Sequence, residues 1–258
     1  MIAAILGVVL QYSPNLSGEL LLPEKVEETT RTVLVIHGGG WGCQDRSSIS
    51  GVAAFFTQGL GFAAYNVDYR LANHETPWPA CGEDSVRAAK FMLSERFSEK
   101  TGIKPKKIWI CGASAGGHLA LWTALRLPTE CVEGVISISG IADPRPDCER
   151  DVPRYRNLFG GLEPTSELLD TMSPMLLIRS HGPRILCTHA VEDSVVPIAS
   201  ARNFAAAYRA AGGEIKLFEY SKSSGEGLTG HCIWRPGSNP HRLINEIERQ
   251  ISEFVKER

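Results

Sequence analysis

Residues 112–116 read Gly-Ala-Ser-Ala-Gly, a Gly-x-Ser-x-Gly pattern that can place a serine hydroxyl on a sharp turn. A strand-like run, residues 107–111, precedes the pattern, and a helix-like run, residues 117–125, follows it. Such a turn strains the backbone at Ser114, and the glycine on either side leaves room for the crossing strand and helix. The pattern predicts that Ser114 is a nucleophile, provided that other residues supply a base, an acid and donors for an oxyanion.

The base and the acid are expected in loops that follow later strands. A serine hydroxyl reacts poorly until a histidine takes its proton, and an acid must orient that histidine. His231 lies in a glycine-flanked loop between the last predicted strand and the last predicted helix. Asp193 follows the strand that ends at Thr188, in the chain order serine, acid, histidine that a serine on a strand–helix turn favours. We predict Asp193 as the acid, with Glu192 as the competing alternative.

The oxyanion donors are predicted in the glycine run of residues 37–40, His-Gly-Gly-Gly. Backbone amides without side chains can face a substrate carbonyl, so Gly39 and Gly40 are the expected donors, together with the Ala115 amide. The glycines could instead bind phosphate, but no Lys-Ser or Lys-Thr pair follows them and no Gly-x-Gly-x-x-Gly opens a helix. We expect His37 to have a structural role.

The elements that must position these residues alternate between strands and helices. Strands are predicted at residues 32–36, 62–67, 107–111, 135–139, 184–188 and 214–220, and helices at residues 51–60, 83–97, 117–127, 199–211 and 239–257. This alternation indicates a mainly parallel, doubly wound sheet in one domain of residues 1–258. Prolines interrupt the pattern between about residues 142 and 173, where we predict a small lid.

Composition excludes several classes of partner. The net charge is −2 and the isoelectric point is near 6.4, so we expect neither a nucleic acid nor a membrane partner. Seven cysteines with no Cys-x-x-Cys pair favour reduced thiols and a cytoplasmic location. The sequence contains no metal-ligand motif, so we expect no metal site. The apolar first ten residues are either a strand, paired in a hairpin with Leu20–Leu22, or the remnant of a targeting segment; we favour the strand.

Together these motifs resemble the α/β-hydrolase esterases, in particular the hormone-sensitive-lipase-like group and its compact BD-FAE-type branch of feruloyl and acetyl esterases. The resemblance rests on motifs found in the expected order: His-Gly-Gly-Gly-Trp at residues 37–41, Asp-Tyr-Arg-Leu at 68–71, Pro-Trp-Pro-Ala at 77–80, Gly-Ala-Ser-Ala-Gly-Gly-His at 112–118, Asp193 and Gly230-His231. It implies an α/β-hydrolase fold with helices on both faces of the sheet, an N-terminal antiparallel hairpin, and no cofactor.

The resemblance also implies site residues and an activity. Ser114, Asp193 and His231 would form a catalytic triad, with Gly39, Gly40 and Ala115 as the oxyanion hole. The expected activity is that of a serine carboxylesterase acting on short-acyl, acetyl-type esters of carbohydrate or aromatic alcohols. An amidase of the arylformamidase type is the alternative, and a non-catalytic small-molecule receptor is a third hypothesis.

Aromatic side chains in loops near the strand ends are candidates for the substrate pocket. They either line an acyl or alcohol pocket or pack the lid, and they are Trp41, Trp78, Phe159 and Trp234. By this resemblance, we do not expect the long N-terminal helical cap of typical hormone-sensitive-lipase-like enzymes. The loop after His231 is more elaborate than a bare Gly-His, so the sequence leaves the size of the substrate open. Structural roles are expected for Arg70, His118, His189 and His241, and the sequence does not choose between a monomer and a homodimer.

Overall fold

The computed structural model describes residues 7–221, 223, 225–226, 230–231 and 233–257. These residues include eight strands of one sheet: β1 (Val8–Ser13), β2 (Leu16–Leu21), β3 (Thr32–Ile36), β4 (Ala63–Val67), β5 (Ile108–Ala113), β6 (Val132–Ile138), β7 (Arg184–Ala190) and β8 (Ile215–Tyr220). Their order across the sheet is β1-β2-β4-β3-β5-β6-β7-β8. β1 and β2 form an antiparallel hairpin, β2 also pairs antiparallel with β4, and the remaining pairings of this sheet are parallel.

Helices cover both faces of the sheet. They are α1 (Ser50–Ala54, continued by a wider turn over Phe55–Gly59), α2 (Ala80–Met92), α3 (Glu95–Thr101), α4 (Ala115–Arg126), α5 (Pro144–Cys148), α6 (Val152–Leu158), α7 (Ser166–Met172), α8 (Ile198–Ala210) and α9 (Asn245–Phe254). Every residue of β3 is buried; Leu34 and Ile36 enter one apolar core, and Val33 and Val35 enter the core on the opposite face. The predicted α/β-hydrolase architecture, with its N-terminal hairpin, is confirmed.

One predicted helix is in fact two. The helix expected at residues 83–97 begins earlier, at Ala80, and α2 ends at Met92 before α3 starts at Glu95. The side chain of Ser94 accepts a hydrogen bond from the amide of Phe97 and so caps the start of α3. An N-cap serine satisfies an amide that a continuous helix would bond internally, which is why the chain breaks here.

The proline-rich segment is more regular than its composition suggests. It folds into α5, α6 and α7, named here the α5–α7 insertion. Its prolines start helices rather than breaking them: Pro144 and Pro153 lie in the first turns of α5 and α6, which are capped by Asp143 and Asp151. Proline tolerates this position because the first turn has no internal hydrogen bond to lose.

The last helix also differs from its prediction, and the first strand is described only in part. The helix expected at residues 239–257 begins only at Asn245, because residues 242–244 pair with residues 233–235 instead. There Arg235 donates its amide to Arg242, and Ile244 donates its amide to Ile233. The apolar residues 1–6 lie outside the described range, and β1 begins at Val8. Within the described part of the chain, no helix combines the length and hydrophobicity needed to cross a membrane.

Candidate active site

Ser114 occupies a sharp turn between β5 and α4. Its backbone has φ of +57° and ψ of −124°, a conformation that a residue other than glycine rarely adopts. The Ser114 amide donates to the carbonyl of Ile138 at the end of β6, 2.8 Å away, which fixes the turn against the neighbouring strand. A Cβ atom on Gly112 would overlap the carbonyl of Gly116, and one on Gly116 would overlap the carbonyl of Ile36. The two glycines therefore permit the turn sterically.

His231 and Asp193 form a direct pair in loops that follow β8 and β7. His231 Nδ1 lies 2.6 Å from Asp193 Oδ2, and the carboxylate is buried. Because an ionised carboxylate only accepts, Nδ1 carries the hydrogen and Nε2 is left as an acceptor. That Nε2 atom is buried and has no hydrogen-bond partner among the described residues. It is therefore available to take a proton.

The other oxygen of Asp193 is held by the backbone. Oδ1 accepts from the amides of Val195 and Val196, both at 2.9 Å. Burial opposes ionisation of Asp193, but the hydrogen bond from His231, the nearby imidazoles and the Val196 amide together keep its pKa below the usual value. Glu192, the competing candidate for the acid, is exposed and accepts from the hydroxyl of Ser221. The structure thus brings Asp193, and not Glu192, against His231.

A second histidine contacts the same acid. His189 Nε2 lies 3.5 Å from Asp193 Oδ2 and 2.8 Å from the carbonyl oxygen of Val196, to which it donates. His189 is buried, and burial lowers its pKa. The expected structural role of His189 therefore includes support of the loop that carries Asp193. The position of His189 in the sequence did not predict this contact.

The glycine run lies directly beside the turn of Ser114. A Cβ atom on Gly38 would come within 2.9 Å of the Ala113 carbonyl and 3.2 Å of Ser114 Cβ. Gly39 and Gly40 have φ of +91° and +54°, and their amides donate no backbone hydrogen bond within the described part of the chain. Ala115, the first residue of α4, has an amide with no partner inside the helix. The arrangement leaves all three amides available to a ligand.

A family model described as BD-FAE matches residues 19–208. That range covers most of the chain and includes the glycine run, Ser114 and Asp193. The chain belongs to the BD-FAE family. The resemblance inferred from the motifs is thereby confirmed.

Relatives of this BD-FAE member include several deacetylases. Human arylacetamide deacetylase-like 2 is 29% identical over 191 residues, which cover 71% of this chain and 44% of the human protein. Arylacetamide deacetylase from Mus musculus is 34% identical over 155 residues, covering 59% of this chain and 34% of the mouse protein. The chain therefore spans less than half the length of these two curated relatives.

Solved structures with the same fold include two hydrolases. Est2, an esterase of Thermogutta terrifontis in a butyrate-bound structure, has a TM-score of 0.76 and 22% identity, covering 97% of this chain and 93% of that chain. An acetyl ester-xyloside bifunctional hydrolase of Caldicellulosiruptor lactoaceticus has a TM-score of 0.76 and 19% identity, covering 99% of this chain and 98% of that chain. At these identities the likeness shows the fold.

In this BD-FAE member the four candidate pocket aromatics lie in different surroundings. Trp41 is fully buried, and Phe159 packs against Tyr155 of the α5–α7 insertion. Trp78 donates from Nε1 to the hydroxyl of Thr171, 2.9 Å away, and also packs on the insertion. Trp234 is half-buried beside His241, against the core on the other face of the sheet. Trp41, Trp78 and Phe159 thus pack against neighbouring side chains, and a role in the substrate pocket stays a prediction for all four aromatics.

His37 and Arg70, two residues of the sequence motifs, hold neighbouring loops in place. The His37 ring stacks on Tyr69, with centroids 4.2 Å apart, and burial lowers the pKa of His37. The guanidinium of Arg70 donates from Nε and from a terminal nitrogen to the buried carboxylate of Asp84, both at 2.8 Å. Both side chains therefore have the structural surroundings expected for them.

The α5–α7 insertion contributes residues that the sequence pattern did not single out. Arg154 packs beside Gly40, where an added Cβ would come within 3.1 Å of its Cδ. Its guanidinium binds Asp147, whose buried carboxylate also accepts from the hydroxyl of Tyr155 at 2.7 Å. Burial raises the pKa of Asp147, while Arg154 and Tyr155 favour its ionised form. No spacing within one helix signals this cluster, because Asp147 lies on α5 whereas Arg154 and Tyr155 lie on α6.

Proposed function

We propose that this chain is a serine carboxylesterase that hydrolyses short-acyl, acetyl-type esters of carbohydrate or aromatic alcohols through an acyl-enzyme. The observation that carries the proposal is the pair of Asp193 and His231, joined at 2.6 Å, with the buried Nε2 of His231 unpartnered among the described residues. Both loops follow parallel strands, so they lie at the same edge of the sheet as the turn of Ser114.

The first half of the reaction forms the acyl-enzyme. Ser114 Oγ attacks the acyl carbon while His231 Nε2 takes the hydroxyl proton, and Asp193 stabilises the imidazolium that results. The charge that develops on the carbonyl oxygen is held by the amides of Gly39, Gly40 and Ala115. A single such donor typically lowers the barrier by about 3 kcal/mol. The tetrahedral intermediate then collapses, and the alcohol leaves with the proton from His231.

The second half repeats the sequence with water. His231 takes a proton from the water, whose oxygen attacks the acyl carbon, and the bond to Ser114 Oγ breaks as His231 returns the proton to it. The residues named are sufficient for both halves, so the proposal requires no cofactor. Among the described residues, no cluster of three or more His, Cys, Asp or Glu side chains could hold a metal ion.

A small acyl group is favoured by the packing around the glycine run. Trp41 and Tyr155 are fully buried there, with ring centroids 5.4 Å apart, and Arg154 covers Gly40. These side chains fill space next to the proposed oxyanion hole, which supports a small acyl group. Two structural neighbours, a butyrate-bound esterase and an acetyl ester-xyloside hydrolase, agree with a short acyl group and a sugar alcohol.

An amide substrate is the second candidate, and the names of the curated relatives favour it. Human and mouse relatives are arylacetamide deacetylases or deacetylase-like proteins, which suggests aromatic amides beside esters. The same triad cleaves both bonds, and the leaving amine takes the proton from His231. Parallel assays with phenyl acetate, acetanilide and N-formylkynurenine separate an esterase from an arylacetamide deacetylase and from an arylformamidase.

A series of nitrophenyl esters with increasing acyl length tests the main proposal. We expect kcat/KM to be highest for acetate to butyrate and to fall beyond about eight carbons, and we expect Ser114→Ala to abolish turnover. Undiminished hydrolysis by Ser114→Ala would rule out the mechanism, and a preference for long chains would rule out the short-acyl claim. A wild-type protein that binds these esters without turnover would indicate the third hypothesis, a non-catalytic receptor.

A cytoplasmic location stays a prediction.

A further inference from the structure

Trp41, the residue after the glycine run, has an unusual backbone conformation. Its φ is +64°, in the left-handed region, and its side chain is fully buried. Bulky residues rarely adopt such a φ, and they do so only where the surrounding structure imposes it. Because Trp41 follows Gly40 directly, whatever holds the indole also restrains the backbone at Gly40, whose amide N–H lies on the preceding peptide.

The group that holds the indole is His118, on the first turns of α4. Trp41 Nε1 donates to His118 Nδ1 at 3.1 Å, and the two rings meet at right angles with centroids 5.3 Å apart. His118 lies one turn after the nucleophile, and its amide donates to the carbonyl of Ser114 at 3.1 Å. The hydrogen bond between the Trp41 and His118 side chains therefore joins the end of the glycine run to the helix that follows Ser114.

The second nitrogen of His118 reaches the α5–α7 insertion. Nε2 lies 2.8 Å from the carbonyl oxygen of Met172, the last residue of α7. The indole N–H of Trp41 can only donate, so Nδ1 must accept, and the carbonyl can only accept, so Nε2 must carry the hydrogen. His118 is thus a neutral imidazole whose two nitrogens have different, filled roles. Burial agrees with this assignment, since it lowers the pKa of His118 to about 4.

We propose that His118 is a positioning residue that holds Trp41, and with it the Gly40 amide, in the orientation needed to stabilise the oxyanion. The inference deepens the proposed function and rests on it. His118 touches no reacting atom. Its contribution is the acceptor at Nδ1, while the bond from Nε2 to Met172 ties the insertion to the same ring.

Two amide substitutions separate the two nitrogens. In His118→Asn the side-chain oxygen can replace Nδ1 as the acceptor for Trp41, but the bond to Met172 is lost. In His118→Gln the amide nitrogen can replace Nε2 as the donor to Met172, but the acceptor for Trp41 is lost. A misplacement of about 1 Å at a reacting group can lower a rate about 100-fold. We therefore expect His118→Gln to lose about 10- to 100-fold in kcat with little change in KM, and His118→Asn to stay within about threefold of wild type.

Activity must be expressed per functional site, because either variant could be less stable. The burst of nitrophenol from a slowly released organophosphate counts reactive Ser114 groups, and a thermal melt reports stability. A merely structural role would lower the number of sites or the melting temperature of both variants and leave kcat per site unchanged. Equal kcat losses in the Asn and Gln variants, or no loss in either, would overturn the proposal.

Trp41→Phe provides a second route to the same answer, even if a variant of His118 does not fold. It keeps an aromatic ring but removes the indole donor, so it should lose kcat to the same extent as His118→Gln. The double variant should lose no more than either single variant, since both remove one hydrogen bond. Full kcat in Trp41→Phe would overturn the proposal. Failure of the proposed function is distinguishable from failure of this inference. It would appear as ester turnover by the Ser114→Ala variant, in which His118 is unchanged.

Discussion

His189 Nε2 lies 3.5 Å from Asp193 Oδ2, the oxygen that also accepts the hydrogen bond of His231. The remaining oxygen, Oδ1, is occupied by two backbone amides. The carboxylate is therefore fixed from both sides before any substrate binds. A carboxylate held in one orientation fixes the plane and the tautomer of its partner imidazole, which is the contribution that a triad acid makes.

Exchanging carboxylate for amide at two neighbouring positions tests which residue acts as the acid partner of His231. Asp193→Asn should lower kcat by about 10⁴-fold, because the amide stabilises the wrong tautomer of His231. Glu192→Gln makes the same chemical change one residue earlier on an exposed side chain, so its kcat should stay near that of wild type. Hydrolysis of nitrophenyl acetate measures both. A larger loss in Glu192→Gln would reverse the assignment.

Gly230, which precedes His231, provides a steric test of the same loop. Its φ is +82°, and an added Cβ would overlap the carbonyl oxygen of Glu192. Gly212 has φ of +81° but open space around an added Cβ. Alanine at either position carries a similar backbone penalty, of about 1 kcal/mol.

We expect only Gly230→Ala to displace the loop and to lose activity, by about 100-fold or more in kcat. Gly212→Ala should keep kcat and lose a little stability. Nitrophenyl acetate turnover and thermal melts of the two variants make the comparison. Similar activities would show that the loop of His231 can move aside without harm.

The buried carboxylate of Asp147 is expected to stabilise the α5–α7 insertion. Its partner Arg154 is 14% exposed in its side chain, so removing the carboxylate leaves a largely buried charge short of a partner. Breaking such a pair typically costs about 3–5 kcal/mol. Because Asp151 also lies 3.5 Å from Arg154, Asp147→Asn should lose about 3 kcal/mol, the lower end of that range.

Glu163→Gln is the matched control, since Glu163 binds Arg156 at the surface, where both side chains are exposed. Exposed ion pairs contribute about 1 kcal/mol or less, so this variant should be close to wild type. Urea unfolding gives the free energy of unfolding for both. Equal losses would contradict a stabilising role for the Asp147–Arg154 pair.

Three buried histidines predict a loss of stability in mild acid. Burial lowers the pKa of His37, His118 and His189 below the ordinary 6.5, and that of His118 to about 4. In the unfolded chain these imidazoles regain a pKa near 6.5, so the unfolded state binds more protons between about pH 4 and 6.5. The free energy of unfolding should therefore be highest above pH 6.5 and fall as the pH is lowered through this window.

Urea unfolding between pH 7.5 and 4.5 measures this slope, and His118→Asn should reduce it by one titrating group. The lowered pKa of Asp193 does not confound the experiment, because its contribution is lost only below the usual carboxylate value of 3.8. Constant or rising stability toward pH 5 would contradict a dominant contribution of the three lowered imidazole pKa values.

Local steric rules made much of the site predictable. The glycines at 112 and 116 and the strand and helix beside them identify the turn of Ser114, because only those residue types fit its backbone. The order of strands and helices likewise indicates a parallel sheet, whose strand ends gather at one edge. The prediction of helix boundaries failed at two places. Ser94 caps a new helix inside a segment that was expected to be one helix. In the proline-rich segment, Pro144 and Pro153 lie in the first turns of helices instead of preventing them.

The sequence by itself determined the fold class, the sharp turn at Ser114 and the family, since each depends on residue types at fixed short spacings. Only the tertiary structure decided which carboxylate meets His231, what surrounds Trp41 and which side chains support the site. Asp193 and His231 are 38 positions apart, and Trp41 and His118 are 77 apart. Contacts at such separations depend on how the elements pack against each other, and neighbouring residues in the chain carry no signal of that packing.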